Sequence, residues 1–559
     1  MGAGMGRDVG RVTFTEQDHV QFRARLEDCL STLRKVLGEP EFGVVPASLG
    51  AELEVSLIGE DGGPAPVNVA VHKALQDDLI TLEVARFNLE ANLEPVPLRG
   101  RPFTAMAEQA AHQLRRITAQ SLPHHGARAV PIGTLPTLTS ADVTTEALTP
   151  VPRFHALEHA WARRRPTPFA LRVAEGGEGV LRAESVAVQG AACSWQVHLT
   201  VAPDCFRHTF NAAQLATAPA LAAAGNSPFP LGRRGGQEAR IPLYEQGFGD
   251  RSGARPGAPR PRVGFGRAWL RGGPLAGFEE AVHAYDVLLP AHNRDPYDGD
   301  RGGAEYPSLE ELRLHLSTVW SWNRPVYDPL GHLRIEFRAL PSGPTPMDMA
   351  ANTAFLVGLT LSLAAEGRDV AHCLPFTCAK ANFYRAARDG LRASLWWPSP
   401  GSAPQEYEAG ALVLKLLPQA REGLAMAGVD ADEADTMLHL LHERVSTGRT
   451  GAWWQQKTLE VLSRRRETPR GEGAASPTDR TASTSEERTE SLPGRETATS
   501  EPSTARAEQR SEAVPGETGN TGGAGRHPLG DLTVRYARLA ESAAPVHTWN
   551  LPADPPWSQ

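Results

Sequence analysis

The chain has 559 residues, five cysteines, a formal net charge of −8 and a sequence pI of about 6.2. That length allows a large core, and the mild acidity excludes a polybasic grip on nucleic acid or on an anionic membrane surface. Five irregularly spaced cysteines exclude a disulfide framework and fit a reducing compartment, so a cytoplasmic location is expected.

The first ten residues are glycine-rich without an apolar core and predict no signal peptide, and Gly6 breaks a myristoylation pattern. From Thr15 to Leu37 an apolar stripe of Val20, Phe22, Leu26, Leu30, Leu33 and Leu37 predicts a helix, with Thr15 and Asp18 as its capping pair. The stretch from Ser48 to Ile58 alternates. Leu53, Val55 and Leu57 would share one strand face, and Glu52 and Glu54 the other, roughly 7 Å apart at a rise of about 3.3 Å per residue. Neighbouring carboxylates repel, so one pKa rises or a cation sits between them. Mg²⁺ fits, since it takes oxygen ligands and is commonly held by one or two carboxylates plus phosphates. An antiparallel strand with a solvated polar face accounts for the same pattern.

After a turn at Asp61-Gly62-Gly63-Pro64, a second, antiparallel strand is expected around Val67–Val71. Further on, Asn88, Glu90, Asn92 and Glu94 alternate with Leu89, Ala91 and Leu93, a second acidic strand face. Thr104–Gln120 predicts a helix, and Gly133-Thr134-Leu135-Pro136 closes a short apolar strand. The helix expected over Arg153–Arg165 carries His155, Glu158 and His159, the H-x-x-E-H pattern of inverted zinc peptidases. A pattern that short also arises by chance on a polar helix face.

His198 lies in a strand predicted over Val197–Val201. An alanine-rich helix from Asn211 to Ala224 stops at Gly225. The glycine-rich basic loop from Gly232 to Arg240 either offers backbone N–H groups and guanidinium forks to an anion or lies solvated. No G-x-x-x-x-G-K-[ST] occurs, so a nucleotide site is not a P-loop. Residues 247–273 predict a long mobile loop. Arg334, Glu336 and Arg338 share one face of a strand over Leu333–Leu340. The uncharged run Met349–Ala365 is short for a membrane span and predicts a buried helix. Asn382, Arg385 and Arg388 line one side of a helix, and Trp453 and Trp454 fall in a later helical stretch as packing residues. From Arg466 to Gly530 large apolar residues nearly vanish. This predicts a disordered linker (466–530) between a main domain (1–465) and a C-terminal segment (531–559) that docks back on it.

Several of these segments, in order, resemble the bacterial glutamate–cysteine ligase type 2 family of carboxylate–amine ligases. They are Leu49-Gly50-Ala51-Glu52-Leu53-Glu54, Phe87-Asn88-Leu89-Glu90, Gly133-Thr134-Leu135-Pro136, Arg153-Phe154 and Val197-His198. Asn226-Ser227-Pro228 through Arg240, Ile335-Glu336-Phe337-Arg338 and Asn382–Leu391 complete the set, which covers most of residues 45–395. The resemblance implies an α+β fold like that of glutamine synthetase, with a curved antiparallel β-sheet forming an active-site funnel backed by helices. It also implies ATP as co-substrate and Mg²⁺ as cofactor. Glu52, Glu54, Glu90 and Glu336 would hold the metal, and Arg240, Arg338 and His198 would contact ATP. Arg240, Arg338 and Glu52 would be catalytic, while Glu90, His198, Arg153, Arg385 and Asn382 would bind substrate.

The implied partners are glutamate or a similar carboxylate, an amine acceptor and ATP, with no nucleic acid and no membrane; a homo-oligomer is left open. This chain departs from the family at Leu135 and Gln196, where histidines are expected, and at Phe154, where a tyrosine is. These departures bear on the amino-acid substrates more than on ATP chemistry. They also admit a catalytically degenerate member that binds a small molecule or a protein.

Overall fold

The computed structural model describes residues 9–165, 168–172, 180–249, 261–291, 305–367, 369–399, 401–467 and 527–552. Most of the expected linker (468–526) and residues 250–260 of the loop predicted over 247–273 lie outside the described residues. The described part of that loop, 261–273, is not a free loop: Phe265, Trp269 and Leu270 are buried, and the Asn211 side chain bonds the backbone of Leu270. Helix α1 (Glu16–Val36) begins on the predicted capping box, with the Asp18 carboxylate accepting from the Thr15 amide at 2.7 Å. Phe22, Leu26, Leu30 and Leu33 are buried, whereas Val20 falls off the stripe and is exposed. Strand β1 (Ser48–Ile58) follows. Where a strand was expected around Val67–Val71 the chain forms helix α2 (Asn68–Leu75). The Asn68 amide donates to the carbonyls of Ala85 and Asn88 and to the Thr149 hydroxyl, and this anchoring overrides the β-branched alternation.

Strands β2 (Ile80–Leu82), β3 (Asn88–Asn92) and β4 (Val96–Pro97) precede helix α3 (Pro102–His125) and strand β5 (Arg128–Val130). Helix α4 (Pro152–Ala162), the hairpin β6 (Phe169–Leu171) and β7 (Leu181–Ala183), and strand β8 (Trp195–Val201) come next, then α5 (Phe206–Ala224) and α6 (Arg240–Gly247). Strand β9 (Val263–Gly264), helices α7 (Pro274–Ala284) and α8 (Glu310–Leu316), and strands β10 (Trp320–Ser321), β11 (Asn323–Asp328) and β12 (His332–Phe337) lead to α9 (Pro346–Ala365). The chain continues through α10 (Val370–Cys373), α11 (Phe376–Asp389), the hairpin β13 (Ser394–Ser399) and β14 (Ser402–Glu408), α12 (Ala409–Met426), α13 (Ala431–Thr447) and α14 (Gly451–Glu467). Helix α15 (Pro528–Glu541) packs on α14.

Eight strands form one antiparallel sheet, curled as a half-barrel, in the order β11-β12-β8-β1-β3-β2, with β4 and β5 also paired to β1. At eleven residues β1 is long enough to take two strands along each edge. Every residue of β3 and β8 is buried, so their polar face is covered rather than solvated. Helices α3 and α9 lie against the sheet, and α9 is wrapped by α3, α5, α12 and α13. Among the described residues only α9 is long and apolar enough to cross a membrane, and 83% of its apolar window is buried inside the protein. A second apolar cluster gathers Ile58, Val130, Ile132 and Leu135 with Trp454, Tyr536 and Trp549.

Candidate active site

Strand register places the acidic residues on one face. Glu54 stands opposite Glu90 across β1–β3, Glu52 opposite Gln196 across β1–β8, His198 opposite Glu336 across β8–β12, and Glu336 opposite Arg324 across β11–β12. Because side chains alternate strictly along a strand, one parity carries all of these groups to the same side. Two clusters result. Glu52, His198 and Glu336 each bring a ligand atom within 4.8 Å of the others, and so do Glu54, Glu83 and Glu90.

The second cluster is electrostatically loaded. Burial and the neighbouring carboxylates of Glu52, Glu83 and Glu54 push the Glu90 carboxyl well above its ordinary range. Burial and Glu54 push Glu83 up to about 8. Burial also raises Glu54, against the pull of Arg338 and Arg240. In the first cluster Glu336 goes the other way. Burial would raise it, but the Arg324 and Arg338 guanidinium groups outweigh that and hold it below the usual carboxylate range. Arg324 Nε donates to Glu336 Oε2 at 2.7 Å, and Arg338 binds the other oxygen.

Hydrogen bonds tie the clusters together. His198 Nε2 lies 3.1 Å from Glu52 Oε1, and Gln196 Nε2 donates to Glu54 Oε1 at 3.1 Å. The Gln196 carbonyl accepts from Arg338, so one amide links the two. Glu90 accepts from Thr81 and Asn92 at 3.1 and 3.2 Å. Arg153 is buried, donates to Ser317 Oγ at 2.9 Å and faces Glu83, with burial drawing its guanidinium down to about 10. Arg240 is 2% exposed; its Nε donates to Glu238 at 3.1 Å and Nη2 to the Ala339 carbonyl. Within these clusters, Glu52 Oε2 and His198 Nδ1 are buried and have no hydrogen-bond partner among the described residues. The Glu54–Glu83–Glu90 group, three carboxylates that repel one another with the orphaned oxygen of Glu52 near Glu90, fits a hard divalent cation such as Mg²⁺.

Of the residues singled out in the sequence, Glu52, Glu54, Glu90, His198, Glu336, Arg338, Arg240 and Arg153 come together here. Asn382 and Arg385 do not. Asn382 clamps β13 through the backbone of Trp396, and Arg385 binds the Ser394 carbonyl and Glu406 at 3.1 Å on the same hairpin. The glycine-rich loop does not hold its amides ready for an anion, because those of Gln237 and Glu238 donate to the last carbonyls of α11. His155, Glu158 and His159 form no metal-ligating group among the described residues. The Glu158 carboxylate instead accepts from Ser185 and from the Val186 amide. Leu135 is a core residue. Sequence reasoning missed Glu83 and Arg324, and also Tyr244, whose hydroxyl meets Arg338.

Among solved structures, glutamate–cysteine ligase from Francisella tularensis in complex with AMP aligns with a TM-score of 0.49 and 13% identity, covering 76% of this chain and 86% of that one. A bifunctional glutathione synthetase from Pasteurella multocida aligns with a TM-score of 0.40 and 11% identity, covering 78% of this chain and 51%, about half, of that one. No curated protein matches the chain in sequence. Residues 48–476 match glutamate–cysteine ligase family 2, and the chain belongs to that family.

Proposed function

We propose that the protein is an ATP-dependent carboxylate–amine ligase that joins the γ-carboxylate of glutamate, or a similar acid, to an amine through an acyl phosphate. The observation that supports this reading is the convergence of Glu52, Glu54, Glu83, Glu90 and Glu336 on one face of the sheet beside Arg338 and Arg240. A carboxylate is a poor electrophile at neutral pH, so its acyl group needs activation. Transfer of the ATP γ-phosphoryl group to a carboxylate oxygen supplies that. The amine nitrogen then attacks the carbonyl carbon, and inorganic phosphate leaves from the tetrahedral intermediate.

Phosphoryl transfer asks chiefly for positioning and charge neutralisation. The Glu54–Glu83–Glu90 group and the Glu52–His198–Glu336 group would hold Mg²⁺, whose chemistry when bound is to neutralise the ATP phosphates. Arg338 and Arg240, both close enough to Glu54 to act on its charge, stabilise the negative charge of the transferring group. Arg153, which no carboxylate pairs among the described residues, binds the carboxylate of the substrate.

Measuring ADP release with glutamate and a panel of amines tests the proposal. Release that requires Mg²⁺, the acid and the amine together supports it, and its absence across the panel overturns it. The bridging amide of Gln196 favours a second reading, since it ties Glu54 to Arg338 and so occupies two groups the chemistry would use. In that case the chain binds nucleotide without releasing ADP.

A further inference from the structure

Helix α15 begins beyond residue 476, where the family match ends, yet one of its side chains reaches the support of the active site. Tyr536 is fully buried, and its ring stands edge-on to Trp454 and Trp549 at 6.1 and 5.3 Å. Its hydroxyl donates to the Pro131 carbonyl at 2.9 Å and accepts from Asn226 Nδ2 at 2.8 Å. Asn226 is a junction. Its backbone amide donates to Glu238 Oε2 at 3.0 Å, and Glu238 Oε1 in turn receives Arg240 Nε. Its side chain also donates to the Ser342 carbonyl at 2.7 Å, and Ser342 Oγ donates to the carbonyl of Glu54 at 2.7 Å. Two short hydrogen-bonded routes thus run from Tyr536 to Arg240 and to Glu54. The approach is tight, because a Cβ on Gly343 would stand 2.8 Å from the Tyr536 hydroxyl.

We propose that Tyr536 is a positioning residue for Arg240 and Glu54, so that the C-terminal helix is a working part of the active centre. The kinetic side of this inference rests on the ligase reading above; the structural side does not. Tyr536→Phe keeps the ring between the two tryptophans and removes only the hydroxyl. Trp549→Phe serves as the control, since it loosens the same aromatic cluster and leaves the hydroxyl in place.

The experiment uses the full-length chain and measures three things: thermal unfolding, hydrogen exchange at the amides of Asn226 and Arg240, and ADP release. Both amides donate to side chains of this network, to Glu238 and to Ser227 Oγ. The expected result for Tyr536→Phe is exchange at these two amides faster by about tenfold, as local opening becomes easier. The kcat falls by about tenfold, the equivalent of 1.4 kcal/mol, with KM for the amine within about twofold. Trp549→Phe lowers the unfolding temperature but leaves exchange at Asn226 and kcat near wild type. Wild-type exchange in Tyr536→Phe, or the same exchange gain in Trp549→Phe, overturns the proposal. A wild-type protein that releases no ADP overturns the ligase reading instead, and the exchange data still decide the role of Tyr536.

Discussion

Glu54 and Glu90 are partners across the β1–β3 ladder, with Glu83 completing a group whose oxygens lie within 4.8 Å of one another. Like charges placed opposite each other weaken a sheet, and burial adds to the cost of ionising them. Holding this group buried therefore costs the metal-free fold free energy, through repulsion or through protons the carboxyls must keep, and a bound cation would relieve it. Glu90→Gln keeps an oxygen for Thr81 and Asn92 and removes a group that ionises freely only in the unfolded chain. In EDTA this variant unfolds at higher temperature than the parent, by the equivalent of about 1 kcal/mol. Its Mg²⁺-dependent ADP release drops roughly 10–100-fold, the usual effect of disturbing a metal site. An unchanged stabilisation by Mg²⁺ in this variant would remove Glu90 from the cation site.

The Glu83 carboxyl, pushed up to about 8, sets a pH dependence. Below that value the folded protein carries a proton there, whereas the unfolded chain, with an ordinary carboxyl, has lost it above about pH 4.5. Without metal, the contribution of Glu83 to stability is present below about pH 4.5 and is lost as pH rises through 8. A divalent cation needs the ionised carboxylate, so binding at pH 7 releases a proton and tightens as pH rises toward 9. Calorimetric titration with Mg²⁺ in two buffers of different ionisation heat measures that proton. Equal heats in both buffers count against the assignment.

Gln196 serves both Glu54 and Arg338 with one side chain. Gln196→Leu leaves a carboxylate oxygen and a guanidinium nitrogen without that partner in a buried setting. Each lost hydrogen bond to a charged group costs about 1.5–3 kcal/mol. Urea unfolding at neutral pH should show a loss in that range or larger. A neutral result means that water replaces the amide.

Arg385 separates location from composition as a guide to function. It lies on α11 with the other residues of a family-like segment, but it is half-exposed and paired with Glu406. Exposed pairs are worth at most about 1 kcal/mol, so Arg385→Ala keeps kcat within about twofold of the parent. Arg338→Lys, by contrast, replaces a buried guanidinium whose Nη1 binds both Glu336 and Gln196, and the expected result is loss of most activity. Parallel ADP-release assays compare the two; similar losses in both would return Arg385 to the site.

Much of the acidic face was legible because a strand keeps a period of two, and β1 and β3 preserve it without interruption through Glu52, Glu54 and Glu90. Glu83 follows a three-residue strand, and the turn after it breaks the parity with Asn88 and Glu90. Its signal was the alternation of Thr81 and Glu83 with Ile80 and Leu82. Arg324 sits on the terminal strand β11 beside Pro325, a residue that argues against a strand except at an edge. Helix α2 was misread because Val67, Val69 and Val71 alternate, while the anchor that decides its conformation is the long-range bonding of Asn68. The same limit applies to Asn382: its helical face was readable, but its partner, the Trp396 backbone, was not.

Helix α9 leaves a debt at the time of synthesis. Its apolar surface is sheathed by α3 and α5, which precede it, and by α12 and α13, which follow. At 5–20 residues per second, the roughly 80 residues from its end to the end of α13 take about 4–16 seconds to emerge. For that interval this apolar helix has half its cover, and holdase chaperones should engage nascent chains stalled once Ala365 has left the ribosome more than those stalled once Thr447 has.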